Sequence, residues 1–210
     1  GDGDDMIING DGGSGGLSGG AGSDSIFAGA GGDRLYGDAG NDTLIGSIGV
    51  DTAQGGDGDD YILANTGADW LLGDTGADAI YGQGGNDVID GGSENDTLIG
   101  GTGYDRIIGG PGDDLIAGGL ENDTLYGGAG DDIFVFALGG DADTVIDFLP
   151  SVGDEILLQA FGAAFDTFAE VIGAASDNGV NTTIDFGGGD VLIIRSVTVS
   201  QLSADDFIFG

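Results

Sequence analysis

Gly55-Gly-Asp-Gly-Asp-Asp-Tyr-Ile-Leu63 and Gly109-Gly-Pro-Gly-Asp-Asp-Leu-Ile-Ala117 are two copies of one nine-residue unit. Gly100-Gly-Thr-Gly-Tyr-Asp-Arg-Ile-Ile108 and Gly127-Gly-Ala-Gly-Asp-Asp-Ile-Phe-Val135 are two more. Working outward from them, aspartate recurs at every ninth position as Asp24, Asp33, Asp42, Asp51, Asp60, Asp69, Asp78, Asp87, Asp96, Asp105, Asp114, Asp123 and Asp132, thirteen members without a gap. Two residues after each stands an apolar side chain, from Ile26 and Leu35 through to Leu125 and Phe134, small only at Ala53. Two residues before each stands glycine, with Glu94 and Glu121 as the exceptions. A repeat this regular must be read before anything else, because a missed repeat misassigns the whole fold.

Each unit divides into six turn-forming residues and three strand-forming ones. Glycine supplies backbone with positive φ, and Asn and Asp tolerate it next best, which suits Asp38, Asn65 and Asp74 at the second position better than Ser47 or Gln83. A three-residue strand cannot stand alone, so it must stack on copies of itself, and parallel stacking of short units makes a solenoid.

The units resemble the G-G-x-G-x-D-x-U-x nonapeptide of RTX (repeats-in-toxin) proteins, U being a large aliphatic residue. The resemblance covers residues 19–135. It extends loosely back to Asp5 and Ile7 through an irregular unit in which Ser14 stands for the aspartate. It implies an all-β fold, a right-handed parallel β-roll with two nonapeptides per coil. Coil-to-coil partners are then 18 residues apart. Asp42, Asp60, Asp78 and Asp96 fall in one column, and Asp51, Asp69, Asp87 and Asp105 in the other.

A distance favours a use for these columns. Stacked strands lie about 4.8 Å apart, where bare carboxylates repel. Calcium takes oxygens at about 2.3–2.6 Å, so two oxygens across one ion sit about 5 Å apart; magnesium, at about 2.0–2.1 Å, fits less well. A lone Asp in a glycine-rich turn reads as an Asx turn, but thirteen in register read as calcium ligands, completed by carbonyls of the turns. Seven members in one column and six in the other enclose about eleven Ca²⁺ sites, with Asp5 a further candidate ligand. Sites near Ser14, Glu94 and Glu121 are expected to be weak or missing.

Composition agrees. The 210 residues carry 38 acidic side chains against three arginines, a net charge of −35, yet 40% are hydrophobic, too many for a disordered acidic tail. Eleven divalent ions would cancel about 22 of those charges. Nucleic acid and anionic membrane surfaces, both polyanions, are poor partners. With no histidine, His-dependent triads, His-ligated zinc and HExxH sites are excluded; with no cysteine, so are disulfides and thiolate chemistry. No apolar run is long enough to span a membrane as a helix. Because residue 1 already lies within a repeat, with no leader before it, the chain is expected to be a piece of something longer.

Neighbours in a strand face opposite ways, so the last position of alternate units gives an outward apolar stripe of Phe27, Ile45, Leu63, Tyr81, Ile99, Ala117 and Val135. The other side is mixed. The stripe is expected to be covered by the C-terminal segment, a second chain or a neighbouring domain.

After Asp132 the period stops, so residues 1–135 are taken as the roll and 136–210 as a β-rich capping and secretion-signal region. Short strands are expected within 134–136, 140–148 and 152–162, a short helix over 165–175, and a hairpin of 181–186 with 191–197. The ending Leu-Ser-Ala-Asp-Asp-Phe-Ile-Phe-Gly is similar to the C-terminal flank of serralysin-type RTX proteins. This implies the type I secretion machinery as a partner and a secreted, extracellular or cell-surface location. Asp141, Asp143 and Asp147 are read as solvated turn residues, with a further calcium as the alternative.

The function expected is a calcium-binding module whose folding is driven by extracellular Ca²⁺, at the C-terminus of a larger exoprotein with a fused enzyme or adhesin domain. The alternative is a structural or adhesive surface protein, S-layer-like, assembling through the apolar sheet. An ice-binding roll would need Thr and Asn at the third and fifth turn positions, which hold Ala, Asp, Leu, Pro and Val too often. No enzyme is expected within the chain, since a uniform ladder offers no pair of carboxylates in distinct environments.

Overall fold

The computed structural model describes residues 1–10, 15–139, 141–150, 153–159 and 165–210. The chain winds as a parallel β-solenoid with two sheets. Sheet one has ten strands, running through Met6–Ile8, Ser25–Phe27, Thr43–Ile45, Tyr61–Leu63, Ala79–Gly84, Thr97–Thr102, Leu115–Leu120, Ile133–Ala137, Glu155–Gln159 and Phe207–Phe209. Sheet two has eleven. It runs from Gly16–Ala21 through Arg34–Ala39, Thr52–Asp57, Trp70–Thr75, Val88–Ser93, Arg106–Pro111, Thr124–Ala129 and Ala142–Val145, ending on Asp190–Ile194, Thr182–Gly187 and Ala175–Asp177.

Register is 18 within the repeat: Leu44 pairs with Ile62, and Ile62 with Ile80. Each strand's middle residue points between the sheets. All thirteen apolar residues of the repeat are at most 3% exposed and form one core with Val145, Ile156 and Leu192 of the C-terminal segment. Each Leu or Ile so buried contributes about 1.5–3 kcal/mol before conformational entropy is counted.

The change of period after Asp132 does not end the stack. Ile133–Ala137 pairs in parallel with Glu155–Gln159 at an offset of 22, and Thr124–Leu125 with Thr144–Val145 at an offset of 20. The connections have lengthened by a few residues while the ladder continues. The expected hairpin forms as Thr182–Gly187 antiparallel to Asp190–Ile194, and Ala175–Asp177 adds the last, antiparallel strand. The expected helix forms at Phe168–Ala174 and packs on those end strands. The expected strands around 140–148 and 152–162 fall partly outside the described residues. Their described parts are strands at Ala142–Val145 and Glu155–Gln159.

Outward positions behave as the alternation requires. Phe27, Ile45, Leu63, Tyr81, Ile99, Ala117 and Val135 are half-buried by their neighbours along the ladder, and none packs into the core. The C-terminal segment, one of the expected covers for this stripe, instead extends the two sheets and packs at the end of the roll. Sheet two presents Arg34, Trp70, Asp90 and Arg106, with the Arg106 guanidinium 4.9 Å from the centre of the Tyr126 ring.

Candidate metal centres

Each ladder aspartate stands at the entry to a strand, one residue after the turn, and the turn folds its side chain beneath the next coil. All thirteen, Asp24 to Asp132, are buried to 3% exposure or less. One oxygen of each is committed to the fold. Oδ1 accepts the backbone N–H of the aspartate 18 residues earlier, at 2.7–3.0 Å, from Asp24 N–H to Asp42 through to Asp114 N–H to Asp132. The columns are therefore hydrogen-bonded ladders as well as rows of charge.

The second oxygen is the chemically open one. Oδ2 is buried without a hydrogen-bond partner in Asp24, Asp33, Asp42, Asp60, Asp69, Asp78, Asp87, Asp96, Asp105, Asp114, Asp123 and Asp132. An unpartnered buried carboxylate oxygen costs several kcal/mol, so twelve of them require a cationic partner or protons. The space before ten of the twelve is kept free by the unit's first glycine. A Cβ on Gly73 would collide with Asp78 Oδ2 and the Gly91 carbonyl, and one on Gly82 with Asp87 Oδ2 and the Gly100 carbonyl. Carboxylate and main-chain carbonyl oxygens thus converge on one point before Asp42, Asp60, Asp78, Asp87, Asp96, Asp105 and Asp114, the donor set a hard divalent cation takes. Among the described residues no three acidic side chains gather round one point, so the carbonyls are essential to such a site.

Electrostatics agree. Burial pushes Asp60, Asp69, Asp78, Asp96 and Asp132 up to about 7 and Asp105 to about 6, neighbouring carboxylates adding to the rise and the backbone N–H opposing it. Asp123 reaches about 8 for the same reasons. Cations aligned between the rungs would restore the ionised form.

Three rungs depart from the rule. Asp51 Oδ2 accepts the Ser47 N–H at 2.9 Å, so it alone of the thirteen is satisfied from its own turn. Ala28 and Ala64 replace the cradle glycine before Asp33 and Asp69. Asp5 begins its column differently again. Its N–H donates to Asp24 Oδ1 at 2.6 Å, but its carboxylate is 45% exposed and lies 3.4 Å from the terminal ammonium.

In the irregular first unit, the Gly15 N–H donates to Asp33 Oδ1 at 2.9 Å, as the ladder aspartates' N–H groups do one coil on; Ser14, read as standing for the aspartate, lies outside the described residues. The glutamates do not interrupt the ladder either. Glu94 and Glu121 adopt φ of 76° and 71°, in the left-handed region the glycines use. Their carboxylates accept the N–H of Gly76 and Gly103 one coil back. The rungs beside them, Asp78 to Asp96 and Asp105 to Asp123, keep 2.8 Å hydrogen bonds.

Two further rungs lie beyond the repeat. Asp143 Oδ1 accepts the Asp123 N–H at 2.8 Å, Asp154 Oδ1 accepts the Asp132 N–H at 3.2 Å, and both are 3% exposed. Asp143 is therefore a buried rung and not a solvated turn residue. Asp147 accepts the Gly127 N–H at 3.0 Å. A search at fixed spacing misses these rungs because the connections before them are longer, although the Asp-x-apolar signal persists in Asp143-Thr-Val145 and Asp154-Glu-Ile156.

The residue before several of the ladder aspartates belongs to an outer ladder on the turns. Tyr104 N–H donates to Asn86 Oδ1 at 3.0 Å, Asp113 N–H to Asn95 Oδ1 at 2.9 Å, and Asp131 N–H to Asp113 Oδ1 at 2.9 Å. Its signal is the recurrence of Asn or Asp at 41, 59, 86, 95, 113, 122 and 131.

Fold and site together define a β-solenoid built to hold a row of cations along each flank. The model of the RTX calcium-binding nonapeptide repeat (4 copies) matches residues 9–44, 18–53, 45–80, 63–98, 90–125 and 108–144. The chain therefore belongs to the RTX calcium-binding repeat family, and it is a calcium-binding repeat module. No curated protein sequence matches it. Among solved structures, it is similar to the extracellular lipase LipA of Serratia marcescens at 16% identity and a TM-score of 0.40, over 90% of this chain and 45% of that one. It is also similar to the AlgE6R3 subunit of the Azotobacter vinelandii mannuronan C5-epimerase, at 29% identity and a TM-score of 0.44, over 59% of this chain and 79% of that one. The chain spans less than half the length of the lipase.

Proposed function

We propose that the two columns bind about eleven calcium ions within the repeat, that Asp143 adds one interval to its column, and that this binding drives folding once the chain is outside the cell. The observation that carries the reading is the set of twelve buried, unpartnered Oδ2 atoms, seven of which face a carbonyl across a glycine cradle. Without cations, 38 acidic side chains repel and the rungs must desolvate their charge, so the chain stays open. Calcium when bound supplies two positive charges per interval. The aspartates orient through Oδ1 and offer Oδ2, while the glycines keep the space clear. A site absent from the unfolded chain makes binding energy into folding energy.

An export role follows from the same balance, because millimolar calcium is met outside the cell and an open chain suits passage through a channel. We carry the type I secretion machinery as a partner on the resemblance of the C-terminal flank. We assign no reaction to the chain itself, whose buried carboxylates form one uniform ladder. A fused enzyme or adhesin domain would supply the activity. The test is far-UV circular dichroism during calcium titration from excess chelator. A cooperative gain of β signal is expected with calcium and a much weaker one with magnesium. An identical folded spectrum in chelator overturns the proposal.

The surface-assembly alternative draws on one observation, the apolar outer face of sheet one.

A further inference from the structure

From Ser25 to Val135 the outward positions of sheet one carry no charge. Seven successive strands each place two side chains on that face, half-buried to exposed on either side of a buried middle residue. The last positions form the apolar stripe. The first positions, from Ser25 to Ile133, hold only Ser, Thr, Tyr, Ala, Leu and Ile. Sheet two is built from the same unit and carries Arg34, Asp90 and Arg106 at equivalent positions. In a chain with 38 acidic residues, exclusion of charge from one face only marks a surface that must approach something closely.

We propose that this face docks against the same face of a second copy of the chain, in an isologous pair formed once calcium is bound. Three arguments select this occupant. The first is pitch: the stripe is a row of ridges repeating with each strand, at about 4.8 Å. A second copy presents ridges and grooves of the same period, so the rows interdigitate along their whole length as two sheets packed face to face. The second is area. The seven charge-free strands extend about 34 Å and a three-residue strand is about 10 Å wide, so a pair covers roughly 700 Å² of projected face. Side-chain relief raises the total to about 800–900 Å², the size of a weak, reversible interface.

The third argument is charge. Two chains of −35 cannot pair through surfaces bearing carboxylates, and among the described residues the only acidic outward position on the strands of sheet one lies near its C-terminal end, at Glu155. The flanking turns are dense in carboxylates that repel anionic headgroups, and the exposed Trp70, suited to a lipid interface, is on the other sheet. A lipid surface is accordingly the less favoured occupant.

The inference rests on the calcium-folded roll proposed above. Its test is sedimentation velocity with circular dichroism on the same samples, in excess calcium at roughly 50 µM chain, where a weak specific interface is populated. The wild type is expected to be folded and of doubled mass. Ile99→Glu, at mid-stripe, is expected to be folded and monomeric, and Leu72→Glu, outward on sheet two, folded and dimeric. The chain contains no cysteine, so Ala79→Cys and Ser25→Cys give single-thiol probes. Under mild oxidation in calcium the central Ala79→Cys should cross-link and the terminal Ser25→Cys should not, which decides the matter if Ile99→Glu fails to fold. A wild type that stays unfolded in calcium refutes the calcium-driven fold. A folded wild type that remains monomeric refutes the pairing, whether or not it binds phosphatidylcholine vesicles, and vesicle binding would assign the face to lipid.

Discussion

Asp78→Asn changes one atom in the middle of a column and is expected to have opposite consequences with and without calcium. Asp78 Oδ1 accepts the Asp60 N–H at 2.7 Å, and an asparagine oxygen can keep that hydrogen bond. Oδ2, buried beside the Gly91 carbonyl, becomes an amide NH₂ that cannot ligate a cation. Asp78 stands between Asp60 and Asp96, so two intervals are affected. At about 10 mM calcium, a hundredfold above a dissociation constant of ~0.1 mM, each site stabilises the fold by about 2.7 kcal/mol. A tenfold loss at both sites then costs roughly 2.5 kcal/mol, and loss of both sites about 5 kcal/mol. For a domain of this size that lowers Tm by roughly 5–20 °C.

In excess chelator the same substitution should leave the chain no less folded than the wild type, because it removes a charge that the metal-free fold must bury. Thermal melts followed by circular dichroism in both conditions, with Asp59→Asn on the exposed outer ladder as the charge control, provide the assay. If Asp78→Asn shifts the calcium-bound melt no more than Asp59→Asn does, the ladder carboxylates are not ligands and the reasoning fails.

Other outcomes follow from the same geometry. The raised carboxylates bind protons more tightly folded than unfolded, so the metal-free fold is favoured below about pH 4 and loses that advantage as pH rises to about 7–8. In chelator, β signal should therefore grow on acidification, and a signal that instead falls contradicts the burial of these groups. Calcium binding between pH 5 and 7 should release protons, read as a calorimetric heat that varies with the buffer's ionisation enthalpy. Gly82→Ala puts a methyl group against Asp87 Oδ2 and should raise the calcium midpoint of folding, whereas Ala64→Gly opens the Asp69 cradle and should tighten that rung. Asp143→Asn should lower the number of bound ions by about one without abolishing the fold, whereas Asp154→Asn, whose Oδ2 already accepts the Leu149 N–H at 2.7 Å, should leave that number unchanged.

The roll was legible because one unit repeats thirteen times. Thirteen apolar residues and thirteen aspartates occupy the buried positions that spacing assigns them, since a register of 18 leaves no freedom once one coil is set. Where the chain relaxes that spacing, the reading weakens for a physical reason. A ladder needs each rung at the right height, not at a fixed sequence distance, so connections longer by two or four residues hide Asp143 and Asp154 while keeping them in place. Glu94 and Glu121 look like defects in a glycine pattern. Their side chains bond one coil back and hold the left-handed turn, at a strain of about 1 kcal/mol that those hydrogen bonds offset. Ser47 shows the reverse: a small change at the second position closes one oxygen of Asp51, which only the hydrogen-bond geometry reveals.

The most direct test of the central claim is the number of calcium ions held at saturation, measured by equilibrium dialysis alongside the folded fraction of the same samples. The aspartate columns predict about eleven to twelve ions, taken up cooperatively with folding. Saturation at one or two ions, or full folding before calcium is bound, would contradict it.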